Sequence, residues 1–310
     1  MRNHGIDLLR GIAAFFIVGV HLQLLNYTEG GHRLLHFCDM NVGVFAALAG
    51  YLMANSASNV NSGSDWLRYV VKRAKRLLPT YFLWSVIYLL SSAVFQIVMN
   101  GAVKPKYSSI HFWLSVVFRG SASTHLWFIA SLFYVQCLLC GVVHRVPRVI
   151  WLVVSIVLVA VSVSWQSWYA IYPIRLLSFL LLGYCLRGWQ MECPLPIFGL
   201  VLAAVLLVHV FVPVPRFCMD WIAAGPIILF FASLGKIIGS RWVSFMGSTS
   251  MGVYLIHPLM TIGLATPVKR FFAGPYGIVS TMSVWIGAWV LSFAITVAVL
   301  RVKSLRWIVS

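Results

Sequence analysis

Ten long stretches of this chain carry almost no charge, and that pattern limits its fold more than any other feature. They fall at about 6–26, 38–56, 78–99, 125–143, 149–165, 171–189, 195–212, 217–235, 243–264 and 279–300. Of all residues 61% are hydrophobic and 9% charged, with a mean hydropathy of +0.92. A soluble domain averages about 45–50% apolar and about 25% charged residues. So apolar a chain has too little polar surface to cover a water-facing exterior, and it needs lipid as its solvent. Lipid offers the backbone no hydrogen bonds, so spanning segments must satisfy their own, as helices do. At about 20 residues per crossing, the length allows roughly nine to eleven spans. The expectation is an all-α, polytopic membrane protein with about ten transmembrane helices, residues 1–310 forming a single integral-membrane domain. Ala13–Leu25 is signal-like, but no convincing small-residue cleavage pattern follows, so the first helix is expected to be retained. No appended extracytoplasmic domain is expected beyond the last helix.

The net charge of +17 comes from 23 Lys and Arg against six acids. These basic residues form short clusters between apolar runs, which argues against nucleic acid as a partner and for membrane topology. With the N-terminus inside, the cytoplasmic loops hold Arg2; Arg68, Lys72, Arg73, Lys75 and Arg76; Arg145 and Arg148; Arg187; Lys236 and Arg241; and Arg301, Lys303 and Arg306. That is twice the number left for the outer loops (Arg33, Lys104, Lys106, Arg119, Arg216, Lys269 and Arg270). Both termini are therefore expected in the cytoplasm, in agreement with an even number of crossings. Tyr107–Arg119 is amphipathic rather than spanning, and Asn55–Asp65 reads as a flexible loop. Cys137 and Cys140 form a CxxC inside an apolar run and read as packing residues, and no metal site is expected.

Ionisable groups within a membrane are costly and mark functional sites by default. The first run holds Asp7, Arg10 and His21. Eleven residues make nearly three whole helical turns, so Arg10 and His21 share one face about 16 Å apart along the axis. Asp7, one turn below Arg10, is placed to pair with it. On spacing alone, a satisfied interfacial histidine and a snorkelling arginine fit as well as a functional pair. Arg175 and His209 also lie within apolar runs, and either a ligand contact or a structural role suits them.

The run Gly5-Ile6-Asp7-Leu8-Leu9-Arg10-Gly11-Ile12-Ala13-Ala14, followed by His21, resembles the opening helix of the membrane-bound acyltransferase family 3. That family carries an arginine, ten residues and a histidine there. Its second signature is a basic RxxR in the cytoplasmic loop before the third helix, read here as Arg73-Ala74-Lys75-Arg76-Leu77-Leu78-Pro79-Thr80-Tyr81. His125-Leu126-Trp127-Phe128-Ile129 and Tyr254-Leu255-Ile256-His257-Pro258 also fit. The second helix departs from the family, because Gly43-Val44-Phe45-Ala46-Ala47-Leu48-Ala49-Gly50-Tyr51 lacks the usual serine. A covalent acyl-serine there is unsupported, and Gly43 and Gly50 read as close-packing positions.

The resemblance implies an O-acyltransferase of the bacterial inner membrane. It would move an acyl group, acetyl by its frequency in the family, from cytoplasmic acyl-CoA to a hydroxyl of a cell-surface polysaccharide or lipid-linked glycan. Acetyl-CoA would be a co-substrate, with no permanently bound cofactor. Arg73, Arg76 and Arg10 would bind acyl-CoA, since an arginine fork suits phosphate. His21 would be the general base and, with Arg10, the catalytic pair. Asp7 would orient Arg10, while His125, Trp127, Tyr254 and His257 are unranked candidates for stabilising the oxyanion. Lys72 and Lys75 read as orientation charges rather than ligands. A transporter or flippase of a lipid-linked sugar is the competing class, although the chain shows no inverted-repeat halves.

Overall fold

The computed structural model describes residues 3–22, 29–100, 109–123, 125–164, 171–189, 195–211, 215–272 and 277–309. Among them there are helices and no strand. The helices are α1 (His4–Leu22), α2 (Glu29–Ala57), α3 (Gly63–Asn100), α4 (Ile110–Arg119), α5 (Trp127–Cys140), α6 (Arg148–Ser164), α7 (Ile171–Trp189), α8 (Leu195–Phe211), α9 (Arg216–Leu234), α10 (Arg241–Phe272) and α11 (Ile278–Arg301). Each apolar run lies largely within one helix, and among the described residues five stretches are long and apolar enough to cross a membrane: His4–Leu22, Met40–Ala57, Gly63–Ile97, Phe217–Leu234 and Ile278–Arg301. The amphipathic segment forms α4, with residues 107 and 108 outside the described residues.

Two expectations need correction. The basic segment before the third apolar run is no loop: Arg68–Arg76 form the first turns of the 38-residue α3. Its Arg, Lys, Leu and Ala favour helix, and no glycine or proline interrupts it before Pro79. The polar stretch Asn55–Asp65 is also more ordered than a flexible loop. Its first three residues end α2, and Asp65 accepts bonds from the Asn61 and Ser62 amides at 3.2 and 3.0 Å, closing a tight turn into α3.

The chain divides into two compact units, one of residues 1–54 with 147–310 and the other of residues 55–146. In the first unit, α1 and α10 run in the same direction. His4 meets Ser244 near one end (Nδ1 to Oγ, 2.9 Å) and His21 meets His257 near the other. Asn3 caps α1 by accepting the Ile6 amide at 3.1 Å, and its own amide donates to the Ala232 carbonyl of α9 at 2.9 Å. A core of Ala14, Val18, Leu22, Val253, Val284 and Trp285 joins α1, α10 and α11. The Trp285 indole donates to the Phe15 carbonyl at 2.8 Å.

Elsewhere in that unit α6 and α7 are antiparallel, since Ser155 bonds the Ser178 carbonyl while Arg148 lies beside Cys185 and Gly188. The α2 and α7 helices are parallel, and glycine sets their approach. A Cβ at Gly43 would strike the Phe179 ring, one at Gly50 the Leu180 carbonyl, and one at Gly183 the Ala47 carbonyl. This is the close packing anticipated for Gly43 and Gly50, and small residues are what permit it in a membrane. In the second unit, Trp66 of α3 donates to the Cys137 carbonyl of α5 at 2.7 Å, and the Tyr81 hydroxyl donates to the Val116 carbonyl of α4. Gly120 closes α4 with a φ of 68°, a conformation that glycine adopts without steric cost. Cys137 and Cys140 are buried free thiols.

Gly183→Ala should therefore destabilise the protein by about 1–3 kcal/mol, because backbone must move from backbone. Gly263→Ala, whose Cβ would meet nothing within 4 Å, should be neutral or stabilising. Thermal unfolding in detergent, followed by tryptophan fluorescence, reads both. Equal loss from the two changes would remove close packing as the reason for Gly183.

Candidate functional site

The sequence candidates divide between the units. Asp7, Arg10, His21, Tyr254 and His257 lie in the first, and Arg73, Arg76, His125 and Trp127 in the second.

In the first unit, α1 turns its polar face inward. Ala13, Ala14 and Ile17, lying between Arg10 and His21, are at most 2% exposed, so this face looks into protein. Arg10 pairs with Asp7 at 3.8 Å, and a Cβ at Gly247 would strike Asp7, which packs its backbone against α10 there. At the other end of α1, the His21 and His257 rings stand 4.9 Å apart between centroids, tilted by 49°. Tyr254, one turn before His257, lies 6.1 Å from that ring. Four candidates from distant parts of the sequence, Asp7 and Arg10 with Gly247, and His21 with His257, are thus organised by one helix pair.

His257 is fully buried. Its Nδ1 lies 3.1 Å from the Val253 carbonyl one turn back. A carbonyl only accepts, so Nδ1 carries the proton and Nε2 of the neutral ring carries the lone pair. In this tautomer His257 presents an acceptor at Nε2.

The second unit holds a cationic cleft. Arg68, Lys72, Arg73 and Arg76 line a depression of about 430 Å³ together with Asn55, Asn59, Asp65 and Tyr69. Helical spacing puts residues 68, 72 and 76 in one column and 69 and 73 in the next. Tyr69 holds Arg73 in place: its hydroxyl is 3.2 Å from Nε, and the guanidinium lies 5.3 Å from the ring centroid. That leaves the two terminal nitrogens of Arg73 for a ligand. Asp65 pairs with Arg68 at 2.5 Å, which lowers the charge at that end of the cleft. The structure brings Arg73 and Arg76 together as anticipated, and adds Arg68 and Lys72, which the sequence reading assigned to topology. The i, i+4, i+8 spacing of residues 68, 72 and 76 was the available signal. Lys75 is exposed and does not line the cleft.

The remaining candidates have local partners. His125 is buried, with Nδ1 2.9 Å from the Ser123 hydroxyl and its ring edge-on to Tyr88 at 4.9 Å. Trp127 opens α5, half-buried, with its ring edge-on to Phe128. Arg175 lies over the Phe217 ring at 5.0 Å, in the first unit. The His209 side chain lies outside the described residues.

A cleft of this charge should bind pyrophosphate. Lys72→Ala and Arg76→Ala should each weaken that binding about tenfold, the effect of one lost charge-assisted hydrogen bond, while Lys75→Ala should leave it unchanged. Calorimetry on the purified protein measures the three, and equal losses would reduce the cleft to a diffuse basic surface.

Acyltransferase family 3, described as an acyltransferase domain, matches residues 3–301. Neither the comparison with curated proteins nor that with solved structures found a match. The family match runs from the cap of α1 to the end of α11, across every element just described. This integral membrane protein therefore belongs to acyltransferase family 3.

Proposed function

We propose that the protein is an acyl-CoA-dependent O-acyltransferase of the bacterial inner membrane that acetylates a cell-envelope glycan. The observation that carries this reading is the cleft lined by Arg68, Lys72, Arg73 and Arg76. Acyl-CoA is the common acyl donor that carries several phosphates, and such a ligand needs several cations held together. The position of His21 beside His257, on an inward-facing stretch of α1, supports it as the second element.

In this account the chain crosses the bilayer about ten times as one catalytic domain, with both termini and the basic cleft on the cytoplasmic side. The bias of basic residues supports that orientation. The parallel α1 and α10, with α11 returning alongside, suit alternating crossings. Arg73 and Arg76 bind the phosphates of acyl-CoA, and Arg10, oriented by Asp7 at 3.8 Å, takes the pyrophosphate or the carbonyls of the pantetheine arm. His21 accepts the proton of the acceptor hydroxyl as its oxygen attacks the thioester carbonyl. The tetrahedral intermediate collapses by breaking the C–S bond. The imidazolium then returns the proton to the departing thiolate, leaving an ester and free CoA. Tyr254, His257, His125 and Trp127 are the unranked candidates for stabilising the oxyanion. The acceptor is a hydroxyl of a surface polysaccharide, such as an O-antigen, a common antigen, a capsule or an exopolysaccharide, or of a lipid-linked precursor.

Membranes containing the protein should transfer label from acetyl-CoA to an envelope glycan, and His21→Ala should abolish the transfer. Label transfer that survives this change would remove His21 as the base. The Arg73→Ala/Arg76→Ala double variant should raise the KM for acetyl-CoA by roughly a hundredfold, two charge-assisted hydrogen bonds being lost; unchanged saturation would remove the phosphate site. Mass spectrometry of envelope glycans with and without the protein should show the loss of one acetyl mass and identify the acceptor.

A further inference from the structure

We infer that Lys72 and Arg68 bind the ribose 3′-phosphate of the CoA donor, so that the cleft discriminates CoA thioesters from dephospho-CoA thioesters. This rests on the reading of the donor as acyl-CoA.

A CoA thioester offers two anions of different kinds. Its pyrophosphate is a diester with a single charge on each phosphorus. Its ribose 3′-phosphate is a monoester with a charge of about −1.5 to −2 at pH 7. One pair of arginines balances the first anion, and the second needs further cations. The cleft has them, because Arg68 and Lys72 line it together with Arg73 and Arg76. Arg73 and Arg76, three residues apart, are neighbours on the helix surface, and so are Arg68 and Lys72, four apart. The row of residues 68, 72 and 76 advances about 6 Å per step, which suits two anions carried on the 3′ and 5′ sides of one ribose. The arginine forks match the pyrophosphate oxygens, and a lysine serves the monoester as a point charge.

The order along α3 follows from the shape of the ligand. The pantetheine arm and the adenosine leave the pyrophosphate at opposite ends. The arm leads toward the membrane, and α3 becomes apolar directly after Arg76, with Leu77 and Leu78. The pyrophosphate therefore belongs with Arg73 and Arg76, and the adenosine with its 3′-phosphate belongs toward the start of α3, where Lys72 and Arg68 stand. Asp65 ends the row. Its Oδ2 accepts from the Asn61 and Ser62 amides at 3.2 and 3.0 Å and from the Ser62 hydroxyl at 2.7 Å, which fixes the carboxylate. Its Oδ1 accepts from Arg68 at 2.5 Å. A phosphate seated beyond Arg68 would meet that negative charge, so the anion site closes at Lys72 and Arg68. Inorganic pyrophosphate has no ribose and can settle anywhere along the row. CoA holds its two anions one sugar apart and engages both pairs at once.

The test is calorimetric titration of the full-length protein in detergent, with CoA and with 3′-dephospho-CoA. CoA should bind about thirtyfold more tightly, the scale of one whole charge-assisted hydrogen bond and one shared with Asp65. Lys72→Ala should bring the ratio of the two affinities to within about threefold, and Lys72→Arg should restore it. Arg73→Ala/Arg76→Ala should weaken both ligands together and preserve the ratio. Asp65→Asn keeps an acceptor for the turn amides but releases Arg68, and should widen the ratio. Lys72 and Arg68 are exposed, so their replacement should leave the melting temperature unchanged. Equal affinity for CoA and dephospho-CoA in the wild type, or a ratio that survives Lys72→Ala, would overturn the inference. A ratio unmoved by Asp65→Asn would strike Arg68 from the subsite. If both nucleotides bind equally, the acyl-CoA reading stands and the 3′-phosphate subsite falls; if neither binds, both fall.

Discussion

A backbone amide or carbonyl left without a partner in hydrocarbon costs several kcal/mol, and no water is present to relieve it. Everything else in this protein is built around that cost. The described chain is helical because a helix closes its hydrogen bonds within each segment. Once formed, the helices gain little from hiding apolar surface from lipid that is itself apolar, so their association depends on close contact. The glycines at 50 and 183 bring α2 and α7 to backbone distance, and Gly43 makes room for the Phe179 ring. Gly5 does the same for α1 against the α9 backbone, and Gly247 lets α10 close on Asp7 of α1.

The same cost governs where polar chemistry sits. Asp7 is buried and has Arg10 within 3.8 Å, and His257 finds its donor's partner in the backbone of its own helix. The Val253 carbonyl, one turn back on α10, is what fixes the His257 proton on Nδ1. At the other extreme, the residues of the cationic cleft are mostly exposed, where hydration meets the cost of like charges and a phosphate can displace water.

Much of this was legible from the chain alone. The helices at the apolar runs followed from hydropathy. The shared face of Arg10 and His21 followed from the helical period, and the pairing of Asp7 with Arg10 from one turn of spacing. The glycines of α2 were legible as packing positions, because a span lacking the family's serine still had small residues at 43 and 50. The helical state of Arg68–Arg76 is hidden by its charge density, which suggests a loop although the same residues are good helix formers. Arg68 and Lys72 are hidden with it, since only a helix stacks residues 68, 72 and 76 in one column.

What the sequence by itself determined is the solvent, the class of secondary structure and the polar face of the first helix, because each depends on local composition and period. Tertiary structure decided which residue His21 meets. His257 is 236 positions away, and no period links residues on different helices. It also decided the role that His257 is fit for, since the direction of its Nδ1 toward the Val253 carbonyl is a matter of rotamer and backbone geometry. Residue type offers both a donor and an acceptor on that ring; only the fold chooses which nitrogen is which.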